Sequence, residues 1–211
     1  MNSKLHFKFP IWILLIAMSG CGTAPTIPED HYYRIDIPAP ENSSQTPILK
    51  GGLLVDRLQT DPLRNGRAIV YREDDKPLQL QRHHYHFWSE SPAKMIQHQL
   101  ASYLGKTRAA DYVFNTDHAL PHRYRLTGRV IEFDRVEGKE QTASEIELQF
   151  VLTRRGVKGP LLSETYRVAI TATGQGMYDF AQATQQALSQ VLDSLNHDIQ
   201  ELVNKSHAST L

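Results

Sequence analysis

Hydrophobic and polar positions alternate in several short stretches of the 211-residue chain, a pattern that predicts β-strands. Connections of only a few residues follow the later stretches, and such connections cannot make parallel crossovers. The last three strands are therefore expected to form an antiparallel meander. The eight predicted strands cover residues 32–38, 51–58, 67–73, 78–88, 110–116, 122–138, 144–156 and 160–173.

Two other segments repeat their apolar residues every three or four positions, which is typical of helices. Ser91 and Pro92 provide a capping residue and a favourable first residue for a helix that ends near Gly105. A second helix is predicted over 177–205. Its apolar stripe indicates packing across a sheet, with a partner-binding coiled coil as the alternative. Residues 206–211 are expected to form a frayed tail.

The order of strands, helix, strands and helix predicts one layered domain over residues 31–205. We assign this domain to the α/β class in an α+β layer arrangement. Its sheet is expected to be mixed but largely antiparallel, with the two main helices packed on it. The chain is long enough for a core of its own, since a domain of roughly 150 residues already buries about 70% of its unfolded surface.

The first 20 residues have the three-part layout of a secretory signal peptide. Lys4 and Lys8 precede an apolar run over 10–18, and small residues follow that run. A transmembrane helix needs about 20 apolar residues, roughly twice the length of this run. Residues 1–20 are therefore predicted to be a cleaved signal and not a spanning anchor.

Cys21 is the only cysteine of the chain, which excludes an internal disulfide and a cysteine-rich zinc site. The stretch MSGC, residues 18–21, resembles the bacterial lipobox, with Met18 where leucine is usual. The resemblance implies cleavage between Gly20 and Cys21. It also implies an S-diacylglyceryl group on the thiol and an N-acyl chain, such as palmitate, on the new amino terminus. The alternative is a secreted protein with a free, buried cysteine.

Residues 21–30 are predicted to be the lipidated N-terminus and a flexible tether, because proline and glycine interrupt them without any periodicity. Gly22 occupies the position at which lipoproteins kept in the inner membrane of enteric bacteria usually carry aspartate. For a Gram-negative host, this likeness implies a lipid anchor in the outer membrane, with the domain on the periplasmic side.

Composition and motifs narrow the function classes. Without Lys4 and Lys8, the chain has 21 basic and 23 acidic residues, a net charge of −2 that gives no reason to expect nucleic acid as a partner. The sequence contains no nucleophile elbow, phosphate loop or zinc-protease motif. We therefore predict no catalytic residue, no cofactor and no enzyme.

Three histidines lie close together in QRHHYHFW, residues 81–88, and raise the question of a metal site. In a regular strand, His84 and His86 would point to one face, while His83 and Tyr85 would point to the other. At most two of the histidines could then share a metal, whereas a catalytic zinc needs three protein ligands. No metal site is predicted here.

The aromatic residues beside the histidines are better candidates for an interaction. Tyr85, Phe87 and Trp88 end the predicted strand at the point where the chain turns into the first helix. They are candidates for contact with a partner protein or with a second copy of the chain.

Three segments together resemble the ABC-type transport auxiliary lipoprotein family, and within it the members of Pqi-type intermembrane transport systems. The segments are YYRID, GGLLVDRLQTDPLRNGRAIVYRED and HHYHFWSESPAKMIQHQLASYLG, at residues 32–36, 51–74 and 83–105. Their most specific parts are the DPL…RAIVYR strand pair and the W-x-E-S-P entry into the helix. The likeness extends from about Tyr32 to the last helix, and it implies a fold like the N-terminal domain of TolB.

The resemblance also implies a non-enzymatic role in lipid transport between two membranes. Its partners would be an MCE-domain protein (PqiB-like) and a multispan membrane protein (PqiA-like), with this lipoprotein docking the MCE assembly at the outer membrane. Because MCE assemblies are rings, a homo-oligomeric ring of the lipoprotein would match their symmetry. The alternatives are a periplasmic lipid- or cell-wall-binding lipoprotein that acts alone, and an unrecognised hydrolase.

Overall fold

The computed structural model of the protein describes residues 28–38, 46–118 and 120–208. The predicted signal peptide, Gly20, Cys21 and most of the predicted tether lie outside the described residues, as do the last three residues of the predicted tail.

The described residues form one mixed, eight-stranded sheet with two helices packed on it, which confirms the predicted class. The helices are α1 (Pro92–Lys106) and α2 (Met177–Ala208). The second helix continues three residues beyond its predicted end. The strands are β1 (His31–Tyr33), β2 (Leu49–Val55), β3 (Ala68–Glu73), β4 (Gln81–Trp88), β5 (Ala110–Asn115), β6 (Tyr124–Glu137), β7 (Thr142–Arg154) and β8 (Pro160–Thr171).

The long strand β6 organises the sheet. On one side, β6, β7 and β8 form the antiparallel meander that the short connections predict. On the other side, β2 runs parallel to the first residues of β6, and β3 runs parallel to its last residues. Strands β2 and β3 therefore follow each other along the same side of β6, and their turn-rich connection does not pair them with each other. Strand β5 adds to β2, while β4 and then β1 add to β3.

The first predicted strand is shorter than its alternating pattern indicates. Ile35 and Ile37 are buried, as the pattern requires, but they lie beyond the end of β1. The backbone N–H of Ile37 donates to the side-chain oxygen of Gln99 in α1 at 2.9 Å, and that of Asp36 donates to Gln185 in α2 at 3.2 Å. Glutamine side chains of the two helices thus accept the hydrogen bonds that the backbone of a neighbouring strand would otherwise accept.

Both helices contribute to one hydrophobic core on a single face of the sheet. Strand β7 shows the two faces most clearly, because buried Ile146, Leu148 and Phe150 alternate with partly exposed polar residues. Opposite Phe150, β6 carries Gly128, where a Cβ atom would lie 2.8 Å from the aromatic ring. A glycine at this position therefore lets the ring pack closely against β6.

A buried ion pair fixes the segment between β2 and β3 against β6. Arg64 Nε donates to Asp134 Oδ1 at 2.8 Å, and its NH2 group donates to Oδ2 of the same carboxylate. Arg64 NH1 donates to Asp61 at 2.6 Å, and Asp61 also accepts the backbone N–H of Leu63 at 2.8 Å. Both members of the Arg64–Asp134 pair are buried, so the segment is held to the sheet by charge as well as by packing.

Candidate interaction surface

Strands β1 and β4 form one edge of the sheet, and we call their exposed side chains the β1–β4 edge. β1 is the outermost strand and pairs with β4 in parallel, so that Tyr32 lies beside Phe87 and Tyr33 beside Trp88. The rings of Tyr32 and Phe87 stack with their centroids 5.6 Å apart, and the Arg67 guanidinium lies 5.3 Å from the centre of the Tyr32 ring.

The three predicted contact residues differ in their accessibility. Tyr85 is 43% exposed and Phe87 is partly buried under Tyr32, so both remain available to a partner. Trp88 is 0% exposed and packs against Phe133 and Phe180, with ring centroids 5.3 and 5.8 Å away. The prediction for Trp88 is therefore corrected: this residue belongs to the core. That Tyr85 and Phe87 contact a partner stays a prediction.

Sequence reasoning did not identify Tyr32 and Arg67 as part of this surface. Both are exposed, and both meet Phe87 or its neighbours only because β1 and β3 lie beside β4. Tyr32 was recognisable as a strand residue, but nothing local to the sequence indicates that its strand lies next to β4.

The predicted orientation of the histidines is wrong, because β4 is irregular where it pairs with β3. Phe87 pairs with Ala68 and Arg82 pairs with Val70, so extra residues of β4 bulge between these two points. A bulge of this kind breaks the two-residue alternation. As a result, the His83 and His86 rings meet edge to face, with their centroids 5.7 Å apart.

His83 is the most enclosed of these histidines. Its ring lies over Tyr71 with centroids 4.3 Å apart, and its Nε2 atom is 3.5 Å from Glu137 without a hydrogen-bond partner among the described residues. Burial lowers the pKa of His83 to about 4, and the positive charge of Arg135 adds to this effect. The imidazole is therefore neutral at neutral pH.

His86 lies between His83 and the edge strand. Its Nδ1 atom is 3.1 Å from the Tyr33 hydroxyl, and its ring stacks on His31 with centroids 5.2 Å apart. Burial lowers the pKa of His86, with further contributions from His31 and Arg135. Although these rings are close together, no group of three or more His, Cys, Asp or Glu side chains within the described part of the chain has a geometry suited to a metal ion.

The low pKa of His83 predicts that stability falls in acid. Between pH 6.5 and about 4 the unfolded chain binds a proton at His83 that the folded chain does not bind. The contribution of this residue to stability is therefore complete above pH 6.5 and is lost as the pH falls through that window. We expect a loss of about 2 kcal/mol, somewhat less than the full pKa shift implies, because the ring is only partly enclosed.

The variant His83→Gln tests this expectation. Urea unfolding measured from pH 7 to pH 4 should show a flatter loss of stability in His83→Gln than in the unsubstituted protein. The matched control is His84→Gln, at the exposed neighbouring position. Equal slopes in His83→Gln and His84→Gln would show that His83 does not carry the effect.

None of the helices among the described residues combines the length and the apolar character needed to cross a bilayer.

Comparison with known proteins gives one family match. The sequence model of a family described as the ABC-type transport auxiliary lipoprotein component matches residues 33–196. A search of curated protein sequences finds no match.

Solved structures with this fold include protein XCC0632 from Xanthomonas campestris, of the family DUF330. Its TM-score is 0.72 at 21% sequence identity, and the match covers 86% of this chain and 99% of that one. A second structure, of an uncharacterised protein, has a TM-score of 0.62 at 13% identity and covers 82% of this chain and 99% of its own. At these identities the two structures support the fold, and the family match carries the functional information.

Proposed function

Because the chain belongs to the ABC-type transport auxiliary lipoprotein family, we propose that it is a non-enzymatic component of an MCE-type intermembrane lipid transport system. In this role it docks the MCE-protein assembly at the outer membrane. The observation that carries the proposal is the family match, which covers residues 33–196 and therefore nearly all of the folded domain.

The proposed membrane location rests on the leader. The lipobox-like MSGC stretch puts acyl chains on Cys21, and two or more chains give stable anchoring where one gives only marginal binding. Gly22 in place of aspartate favours the outer membrane. The domain would then lie on the periplasmic side, connected to the membrane by the tether over 21–30.

The β1–β4 edge is the part of the domain that we assign to protein contact. Tyr85 and Tyr32 are exposed, the Phe87 ring is stacked below Tyr32, and Arg67 lies over the outer ring. Aromatic and arginine side chains of this kind are enriched at the centres of protein interfaces. The edge would meet the MCE-domain protein or a neighbouring copy of this chain in a ring.

Co-purification tests the docking proposal. Membranes from cells that contain the full-length, tagged protein are crosslinked and dissolved in detergent, and the bound proteins are identified. We expect an MCE-domain protein, together with a multispan membrane protein, in the purified complex. If crosslinked membranes give no MCE-domain protein, the docking model is wrong, and a lipid- or cell-wall-binding lipoprotein acting alone becomes the better reading.

A matched pair of tyrosine variants tests the role of the edge. Tyr85 is 43% exposed on the β1–β4 edge, and Tyr112 is 44% exposed on β5 at another edge of the sheet. Tyr85→Ala should reduce recovery of the MCE-domain protein or dissociate the ring, whereas Tyr112→Ala should leave both unchanged. The size of the acylated protein in detergent, with and without the MCE partner, reports on the ring. A monomer under all conditions would argue strongly against it.

Replacement of Cys21 tests the anchor. Cys21→Ser removes the thiol that receives the diacylglyceryl group, so the protein should remain an unacylated precursor and leave the outer-membrane fraction. Membrane fractionation and mass measurement check both points. An unchanged amount of Cys21→Ser protein in the outer membrane would refute the lipid anchor.

A further inference from the structure

The two ends of β6 mark opposite ends of the domain. At its last residue, Glu137, the carbonyl accepts the backbone N–H of Asp74 at 3.0 Å, so the β3–β4 turn lies there. At its first residue, Tyr124, β6 pairs with Arg154, where the β7–β8 turn begins. We call these the Glu137 end and the Tyr124 end. The 14 residues of β6 separate them by about 45 Å.

Strand β1 starts at its end nearer to the Glu137 end. Strand β4 starts at the β3–β4 turn and runs away from the Glu137 end, antiparallel to β3. Because β1 is parallel to β4, with His31 beside His86, the first residue of β1 is the one nearer to the β3–β4 turn. The predicted tether therefore begins on the side of the domain where that turn lies.

The length of the tether limits where the bilayer can be. Ten residues lead from Cys21 to His31, and even fully extended they reach at most about 35 Å. The bilayer therefore lies within about 35 Å of His31. In the register of the strands, His31 is level with about residue 133 of β6, roughly 14 Å from the Glu137 end and about 31 Å from the Tyr124 end. The tether thus starts nearer to the Glu137 end, which favours a bilayer on that side.

The two most exposed large hydrophobic side chains among the described residues both lie at this Glu137 end. Leu78 is 98% exposed in the β3–β4 turn. Tyr178 is 69% exposed in the first turn of α2, whose neighbouring residues are held to the end of β6. Arg135 NH2 donates to the Gln175 carbonyl at 2.7 Å, and Gln175 Nε2 donates to the Glu140 carbonyl at 3.2 Å.

We infer that the Glu137 end rests on the surface of the bilayer that holds the protein's own lipid anchor, with Leu78 and Tyr178 in the interfacial layer. The inference rests on the acylation of Cys21 in the proposed function. Tyrosine is enriched at membrane interfaces because its ring is apolar and its hydroxyl is polar. Transfer of an exposed leucine side chain from water into the interfacial layer is favourable in free energy. The contact would fix the orientation of the domain and direct the Tyr124 end away from the membrane.

Charge indicates which kind of bilayer surface fits. The exposed charged residues of the two turns at this end are Asp74, Asp75 and Glu140 against Lys76 and Lys139, so no excess of positive charge is present to attract anionic lipid. The contact should therefore form on zwitterionic lipid and should change little with salt.

Site-specific labelling tests the inference on the full, acylated protein. Acylation consumes the thiol of Cys21, so Leu78→Cys, Tyr178→Cys and Val157→Cys each introduce a single reactive thiol. Val157 is the matched control, because it is 38% exposed in the β7–β8 turn at the Tyr124 end. Each thiol carries an environment-sensitive nitrobenzoxadiazole dye, and the proteins are reconstituted into vesicles of phosphatidylethanolamine and phosphatidylcholine with a nitroxide-labelled lipid.

We expect emission from positions 78 and 178 to shift to shorter wavelength and to be quenched by the nitroxide, while emission from position 157 stays as in water. If the proteins float with the vesicles but all three positions behave alike, the inference is wrong while the anchor stands. Failure of the proteins to float contradicts the anchor, and the inference falls with it.

Two other outcomes also overturn the membrane contact. Shielding of positions 78 and 178 before any vesicles are added would show that a second copy of the chain covers this end. Shielding that appears only when the MCE-domain protein is added would assign the end to that partner.

Discussion

Asp134→Ala is expected to lower the free energy of unfolding by about 3 kcal/mol, because it leaves the Nε and NH2 groups of the buried Arg64 guanidinium without an acceptor and only Asp61 as a charge partner. Asp134 is almost fully enclosed, and both of its carboxylate oxygens accept hydrogen bonds from Arg64. Burial of Arg64 opposes its charge, but the bonds to Asp134 and Asp61 outweigh this and raise its pKa. The arginine therefore stays charged and cannot escape the cost by losing a proton.

Urea unfolding of the protein without its acyl chains measures this effect, and two further variants interpret it. Replacement of both partners, as Arg64→Met with Asp134→Leu, removes the buried charges together and should recover much of the loss. The control is Arg167→Ala. Arg167 is largely exposed and pairs with Glu132, Glu145 and Glu147, so its loss should cost less than about 1 kcal/mol. A small loss in Asp134→Ala would mean that water reaches the pair.

Trp88→Ala is expected to lower the free energy of unfolding by a similar amount, about 3–5 kcal/mol. The indole is fully buried between Phe133 of β6 and Phe180 of α2, and so it joins the middle of the sheet to the last helix. Its removal leaves a cavity that rigid neighbours cannot fill, because these neighbours are themselves fixed by the sheet and the helix.

Thermal and urea unfolding of Trp88→Ala and Trp88→Phe measure the effect, and the phenylalanine variant should lose clearly less. Tyr85→Ala is the control three residues away, since an exposed side chain should change stability by no more than about 0.5 kcal/mol. If Trp88→Ala and Tyr85→Ala are equally mild, Trp88 does not hold the core together.

Local signals predicted the secondary structure well. Helix α1 starts at Pro92, as the Ser91–Pro92 pair indicates, although the Ser91 side chain makes no capping hydrogen bond. Strands β6, β7 and β8 lie within two residues of their expected ends. These elements are defined by periodicity and by turns within their own sequence. Short-range information is sufficient for them.

The features that the sequence did not predict depend on contacts between residues far apart in the chain. Arg64 and Asp134 are 70 residues apart, and only the parallel placement of β2 and β3 along β6 brings them together. The bulge that turns His83 toward His86 depends in the same way on how β3 pairs with β4. Trp88 is close in sequence to Tyr85 and Phe87, which are at least partly exposed. No local sequence pattern indicates that Trp88 alone is buried.

The pairing of both β2 and β3 with the same side of β6 also has a consequence for the order in which the sheet can assemble. Among the described strands, β2 with β5 forms one group, β3 with β4 and β1 forms another, and β6 is the strand that pairs with both. Without β6, which begins at residue 124, the two groups share no strand and cannot join into one sheet. Pairings between segments about 70 residues apart form slowly, so the domain closes late, after β6 has arrived. In the proposed function the chain crosses a membrane before it folds, and a late closure of the sheet would keep it open for that passage.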